Sequence, residues 1–483
     1  MRKRLALSLT LVLVAMTVLP VLAADPDPGT GNTDIIVQNT DTNTANPAAT
    51  VNVDYINQAG GVERTVSRSV KPLAAAEFTA ASSGLGDGWI GSAVVSSEKE
   101  LAAVVNVIWT NGTANDRIVG DEYTGYESGS TEVYFPYIVY APDQQFSRFS
   151  VQNVDTGGTA NITMKYINRN GVLDFTITDT VPAQAQRTYE LNKPGPKIPV
   201  WTNSGYFNTN GNWTGAVVVT SDRPIVGVMS NHWKNWAIVM NGAATAASKM
   251  YVPSAARRTT MRGSTLKWLE WSIITVQNPS TSANATVSLT FVNGDTGNID
   301  LTITGQTIGP GAAKGYNTKS GGDVDPSVFN VLGSAWTGSV IVQSNIPVVV
   351  GVIGTRGENS QAAGSLGVSA ATAGRDVFLP AVYQKKSGST WLVNTLIRLQ
   401  NTSTSTATFD VYFYDRSGNL TYSLTGQTVA GEKVWKYNTK VHNPPLGYNW
   451  EGSVYIHSNQ PMVAVVENLF GKQWQGAYNG VSK

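Results

Sequence analysis

The chain has 483 residues and a net charge of +1, and only 14% of its residues are charged, against the usual figure of about a quarter. With no basic run beyond the first few residues, the charge balance argues against nucleic acid or an anionic membrane as partner. The absence of cysteine removes disulfides and thiolate chemistry, so stability must come from apolar cores.

Met1-Arg-Lys-Arg4 followed by the apolar run Leu5 to Ala23 reads as a secretory signal peptide over residues 1–23, cut after Ala23. No later stretch reaches the length of uncharged apolar sequence that a membrane span needs. A short leader beside a cysteine-free chain points to a prokaryotic protein that is secreted or held at the cell surface. Residues 24–33, with Asp25-Pro-Asp-Pro28, read as an extended lead.

The rest is repetitive. Four segments share one order of signals, with boundaries set at 34–140, 141–256, 257–384 and 385–483. Each opens on an apolar run ending in Gln-Asn: Ile36-Val-Gln-Asn39, Ser150-Val-Gln-Asn153, Thr275-Val-Gln-Asn278 and Arg398-Leu-Gln-Asn401. The loop after it is rich in Thr, Ser, Asn and Gly, where Asn and Asp side chains can close turns themselves. A strand of strict alternation follows, as in Ala49, Val51, Val53, Tyr55 or Ala407, Phe409, Val411, Phe413, which predicts one buried face. An Asn/Asp/Gly turn, a second alternating strand and a strand with an aromatic (Phe78, Tyr189, Tyr316, Tyr437) come next. Then Trp-x-Gly-(Ser/Ala) returns at Trp89, Trp213, Trp336 and Trp450, leading into two apolar β-branched runs joined by Ser-x-x-(Pro/Glu). Two such runs around a short polar turn predict a β-hairpin.

A further strand carries an aromatic or apolar run into proline: Val133-Tyr-Phe-Pro-Tyr-Ile138, Met250-Tyr-Val-Pro253 and Val377-Phe-Leu-Pro-Ala-Val382. It lies between repeats, so four repeats share three copies. One terminal unit is therefore expected to expose an unpaired sheet edge, an invitation to strand addition. With no helical period of useful length, the pattern predicts an all-β chain: a tandem array of four immunoglobulin-like antiparallel β-sandwiches on a string, after a signal peptide.

The combination of Gln-Asn, alternating strand, Val-x-Pro and Trp-x-Gly-Ser resembles repeat domains of uncharacterised proteins secreted by filamentous bacteria such as Chloroflexi. The resemblance spans nearly all of the chain beyond the leader. It implies an extracellular β-repeat protein and carries over no catalytic residue.

Chemistry has little foothold. The three histidines, His232, His442 and His457, fall in different elements, His232 in a predicted loop. No zinc, nucleophile-elbow, P-loop or EF-hand spacing occurs. Asp121-Glu122, Asp323-x-Asp325 and Asp25-x-Asp27 offer carboxylates of the kind calcium takes but read as solvated loop acids. The chain is accordingly expected to be non-enzymatic, with no catalytic residue, metal or cofactor.

Aromatics are the main functional signal among 13 tryptophans. Trp89, Trp213, Trp336 and Trp450 are expected in repeat cores. Trp109, Trp233, Trp236 and Trp474 follow the Trp motif in variable segments, where they could seal contacts between units or subunits or stack on sugars. Trp268, Trp271 and Trp391 sit near unit junctions and are expected at inter-repeat contacts. The expected function is a structural or adhesive component of a surface layer, sheath, filament or matrix. Its partners would be other copies or cell-surface components. The alternative is a carbohydrate-binding array that uses the loop tryptophans on a polysaccharide.

Overall fold

The computed structural model describes residues 30–86, 88–110, 118–142, 144–193, 195–201, 212–233, 236–357 and 361–483. The leader, most of the 24–33 lead and Asp25-x-Asp27 lie outside them. The chain is all-β, 68% strand and 4% helix. Among the described residues no helix is long and apolar enough to cross a membrane.

Strand pairing follows one scheme in four successive units, and the second shows it in full. The alternating strand Ala160–Asn168 pairs on one side with the return strand Leu173–Val181 and on the other with the first half of Trp213–Trp233. The opening strand Ser130–Ala141 completes that sheet by pairing with the same first half. A second sheet runs from Gln186–Glu190 through Gln145–Asn153 and the second half of Trp213–Trp233 to Trp236–Asn241. The inward residues of both sheets (Ile162, Met164, Tyr166, Phe149, Val151, Val217, Met229) close one core, the arrangement of a β-sandwich. The alternation predicted from sequence is present: Ala285–Asn293 and Ala407–Asp415 share one in–out burial pattern with the first-unit strand Ala49–Asn57.

The predicted hairpin is not one. Its two apolar runs never pair with each other. In Ala335–Arg356 the first run pairs with the alternating strand (Val340↔Phe291) and the second with the Gln-Asn strand (Val350↔Val276), in the opposite sheet. Asn449–Phe470 does the same. The Ser-x-x-Pro stretch is thus a corner at which one strand leaves a sheet for its partner. Proline, with its fixed φ and missing N–H, suits a corner as well as a turn. In the first unit, where Glu100 replaces proline, the strand divides into Gly91–Ser96 and Leu101–Thr110, still in separate sheets.

Two boundaries differ from the sequence reading. Residues 30–33, expected in the lead, belong to the strand Thr30–Asn39, paired from Thr30↔Thr110 onward. The aromatic–proline strand set at the end of each repeat pairs within the following one instead. Ser130–Ala141 serves the second unit, Ala247–Arg262 the third and Gly374–Ser387 the fourth. The first unit lacks such a strand among the described residues, and its short sheet stops at Gly91–Ser96.

The Trp-x-Gly motif has a packing reason. Trp213, Trp336 and Trp450 are buried over the ends of their cores, while Trp89 is half-buried and donates to Glu63 Oε2 at 2.6 Å. The glycine two residues on passes so close to the neighbouring backbone that a Cβ at Gly215, Gly338 or Gly452 would lie 2.0–2.2 Å from a carbonyl oxygen. Truncating Trp213 to alanine is expected to cost about 3–5 kcal/mol, and Trp89→Ala clearly less. Chemical denaturation of the two variants checks the ranking.

The units do not form a string. Each packs on the next and the fourth packs on the first, closing a ring. The turn at Gly60 meets Ala183, that at Gly171 meets Pro310, that at Gly294 meets Lys436, and that at Gly418 meets Lys71 and Ala74. The closing contact is substantial: Ile36, Ala75 and Val104 of the first unit share a core with Val377, Leu379 and Val466 of the fourth.

Candidate functional site: the ring contacts, the axis and an open strand slot

The repeated polar motifs sit at the ring contacts. Asn39, Asn153, Asn278 and Asn401 are buried. Each donates across its own sandwich to the end of the return strand, at Val70, Val181, Ile308 and Val429 respectively. Each also accepts the N–H two residues on, so one amide fastens the loop and joins the sheets. The glutamine before it reaches a tight turn: Gln38 Nε2 donates to Leu73 O at 3.2 Å, Gln152 to Gln184 O at 3.2 Å and Gln400 to Glu432 O at 3.4 Å. Those turn residues have positive φ (Leu73 62°, Gln184 58°, Glu432 61°), and the third unit has Gly311 at 70° there. A non-glycine residue in this region carries strain that the surroundings must hold.

The neighbouring unit supplies part of that hold. The serine of Trp-x-Gly-Ser in one unit reaches the turn region of the next. Ser92 Oγ donates to Gln184 O at 2.8 Å, and Ser453 Oγ donates to Leu73 O at 2.6 Å. Ser339 Oγ accepts from Gln400 Nε2 at 3.3 Å. Ala216 stands at this position in the second unit, whose contact with the third carries the Arg169–Asp323 ion pair at 2.9 Å. The last residue joins in: Lys483 Nζ lies 3.2 Å from Thr40 Oγ1 and 2.9 Å from Glu100 Oε2.

At the centre four equivalent strands converge: Val119–Thr124, Trp236–Asn241, Gln361–Leu366 and Trp474–Asn479. Asp121 projects into that point and is fully buried. Its Oδ1 accepts the N–H groups of Glu122 and Ala477, both at 2.8 Å, and its Oδ2 those of Val239 and Gly364, both at 2.7 Å. One carboxylate thus takes one backbone donor from each of the four units. Burial pushes this carboxyl well above the usual carboxylate range, and the four N–H groups pull it back. All four partners are donors, an environment that suits an acceptor-only group. Around it Asn241 exchanges two hydrogen bonds with the Thr124 backbone, and Asn479 two with Leu366. Glu122, also buried, accepts from Asn468 Nδ2 at 3.1 and 2.8 Å, and burial pushes its carboxyl up to about 8.

The reading of Asp121-Glu122 as solvated loop acids is therefore corrected: they are the buried centre of the ring. Asp323 pairs with Arg169 of the preceding unit, and Asp325 accepts from Ser327 N at 2.8 Å. Among the described residues no three His, Asp or Glu side chains gather as metal ligands would. His232 is likewise on a strand and buried rather than in a loop. Its ring meets Trp109 edge-on and stacks on Phe146, and burial lowers it to about 3.

The tryptophans divide by place. Trp109 is buried against Ala237 and Val239 of the second unit, and Trp474 is buried, stacked on Phe470 and touching Gly120. Both are contacts near the axis with no ring face free for a sugar. Trp236 is half-buried and stacks on Trp233 at 3.9 Å, the two facing each other as the end pair of the strands Trp213–Trp233 and Trp236–Asn241. Trp268 and Trp271 meet edge-on beside Arg257 and Lys319 of their own unit, and Trp391 lies under Lys386, again in its own unit. Trp271 also borders a small polar cavity with Glu467 and Arg398 of the fourth unit.

One further feature has the form of an interaction site. In the last three units the opening strand covers the first half of the crossing strand, through Val219↔Val133, Val342↔Met250 and Ile456↔Val377. The covered residues, with Val217, Val340 and Val454, are 0% exposed. In the first unit their counterparts Ala93 and Val95 are partly exposed, and no described strand pairs with the outer edge of Gly91–Ser96. The far wall of this slot is Tyr126. It stands where Ala243, Val368 and Val481 pair with opening strands elsewhere, and its hydroxyl donates to the second unit at Gly242 O, 2.8 Å away.

The sequence matches no known protein-family profile and no curated protein. Among solved structures it is similar to the Anabaena sensory rhodopsin transducer, at 16% identity over 20% of this chain and 88% of that one, with a TM-score of 0.16.

Proposed function

We propose that the chain is a non-enzymatic, extracellular structural or adhesive protein of a prokaryotic cell surface that joins its neighbours by strand addition. The observation that carries this reading is the open slot of the first unit. A row of backbone N–H and C=O groups beside a half-covered apolar core is what an incoming strand satisfies on both counts. The closed ring supports the reading too. It holds the slot on a rigid frame and uses up the chain's other unit-to-unit surfaces, so association is channelled to one place.

The test is the state of the chain from Ala24 to Lys483, read by light scattering and negative-stain electron microscopy. Assemblies are expected that grow with concentration. Val94 lies on the slot's outward face, where its counterparts Val218 and Ile341 are buried under opening strands. Val94→Lys should hold the ring as single particles without lowering its melting temperature by more than a few degrees. A wild-type chain that stays monomeric, or a lysine variant that assembles equally, overturns the reading.

A further inference from the structure

The contact between the third and fourth units is lined differently from its counterparts. In the first unit Ile36, three residues before Asn39, is buried in a core shared with the fourth unit. In the third unit Ile353, paired with Ile273, is buried in a core shared with the second. The fourth unit carries charges at these two places: Arg398, three residues before Asn401, and Glu467, paired with Leu396. Both border a cavity of about 30 Å³ that Glu270, Thr355 and Arg356 line from the third unit and Gln475 from the fourth. At about 10–15 Å³ for each water-sized group, it has room for two or three. It is half open to solvent, so a free ion can enter.

Two properties of this cavity point to the same ligand. The first is unmet hydrogen bonding. Arg356 Nε, Arg398 Nε, Thr355 Oγ1 and Gln475 Oε1 are buried, and none has a partner among the described residues. The two Nε–H groups can only donate, whereas the hydroxyl can donate or accept. Such groups are costly to bury unsatisfied, and more so when they are charged.

The second is charge. Glu270 Oε1 accepts from Arg258 at 2.9 Å and also from Arg356. Glu467 accepts from Ser254 and, at 3.3 Å, from Arg356. Burial alone would raise the Glu467 carboxyl, but Arg398 and Arg356 hold it below the ordinary carboxylate range. Arg398 does so from a distance, for no described carboxylate pairs with it directly. Three arginines therefore surround two carboxylates, and one positive charge is left over.

We infer that the cavity binds a small, planar, singly charged oxyanion of the bicarbonate and formate class, held between the third and fourth units by Arg398, Arg356 and Thr355. Such an ion supplies the acceptors that both Nε–H groups lack and cancels the surplus charge. Phosphate and sulfate are larger and bring a second charge. Bicarbonate fits better than formate, because its O–H gives Gln475 Oε1 a donor. The bound ion fastens the third unit to the fourth, much as the Asp121 carboxylate fastens all four at the axis.

The test is the melting temperature of the Ala24–Lys483 chain near neutral pH and at constant ionic strength. It should rise with the logarithm of bicarbonate concentration and less with formate, while chloride should have little effect. Arg398→Met should lose the response. Arg375→Met, which removes an exposed arginine from the same unit, should keep it. In hydrogen exchange, bicarbonate should slow the amides of Thr355, Glu467 and Gln475 and leave those of Ser92 and Gln184, at the contact between the first and second units, unchanged. If Arg398→Met does not fold, Arg398→Lys keeps the charge and removes the Nε–H, and it should need several times more bicarbonate for the same rise. An equal response in the variant, or a response to chloride as large as that to bicarbonate, overturns the inference. So does a wild-type chain that responds to neither bicarbonate nor formate, the result expected of a cavity that holds water only.

Discussion

Asp121→Ala is expected to destabilise the whole ring by several kcal/mol. The substitution leaves four buried N–H groups, those of Glu122, Val239, Gly364 and Ala477, without an acceptor, and each orphaned donor costs roughly 1–3 kcal/mol. Since a folded domain is stable by only about 5–15 kcal/mol, the axial strands should separate well before the sandwiches unfold. The expected signature is an early loss of protection at the axial amides in hydrogen exchange, with the strand pairing inside each unit retained. Asp121→Asn should be no cure, because its amide turns a donor toward donors. Formate at high concentration should restore part of the lost stability of the alanine variant and little of the asparagine variant, since only the first leaves room for an anion among the four N–H groups. Wild-type-like stability of Asp121→Ala would remove the axis as a source of closure.

The second large effect is on the dependence of stability on pH, and two buried groups act with opposite sign. Glu122, pushed up to about 8, stays protonated in the fold while the unfolded chain releases its proton near pH 4.5. Its contribution is whole below that pH and is lost as pH rises toward 8. His232, lowered to about 3, stays neutral in the fold while the unfolded chain takes up a proton below pH 6.5. Its contribution is whole above 6.5 and is lost as pH falls toward 3. Between about 4.5 and 6.5 the two slopes cancel. These groups alone therefore give a plateau there, with stability declining on both sides. Tyr383 and Tyr478 lie near Glu122, and both are pushed upward, so they stay neutral across this range. Glu122→Gln should lessen the decline above pH 6.5, leaving the part owed to Asp121, which burial also pushes up, and should stabilise the fold at pH 8 by a few kcal/mol, in proportion to the shift it removes. His232→Gln should flatten the acid side only. Denaturant titrations of both variants from pH 3 to 9 check the signs. A steeper alkaline decline in the glutamine variant would contradict the assignment to Glu122.

Local structure is legible in the sequence, and what touches what is not. The period of two in Ala285–Asn293 reported a buried face because alternation is a property of the strand itself. The two runs after Trp336 could be seen as strands for the same reason. Their relation could not, since a hairpin and a sheet-to-sheet corner present the same residues to a reader of one dimension. The Gln-Asn motif announced a turn, and Asn39 and its counterparts do close one, but the reach of each side chain to the return strand needs the sandwich to exist. Ser92, Ser339 and Ser453 recurred at the right spacing and still gave no hint of the next unit, because they act across surfaces that come together only on closure. Asp121 was hardest. Comparison of repeats rewards what recurs, and at this position the other units carry Ile238, Ala363 and Gly476, so its singularity resembled the noise of a loop. One signal is present in the sequence: Asp121 follows Gly120 in a segment flanked by apolar strands, an odd place for a charge bound for solvent.

That singularity limits how such a ring could have been built. Four identical subunits around the same axis would each bring an aspartate to one point, where four carboxyls cannot fit and their charges would repel. An assembly of equal copies must leave the four N–H groups to water or to a borrowed ion. A chain in which the copies are covalently joined can let one of them differ, and a single acid then serves all four. Fusion in this protein thus does more than fix stoichiometry: it permits a keystone that exact symmetry forbids.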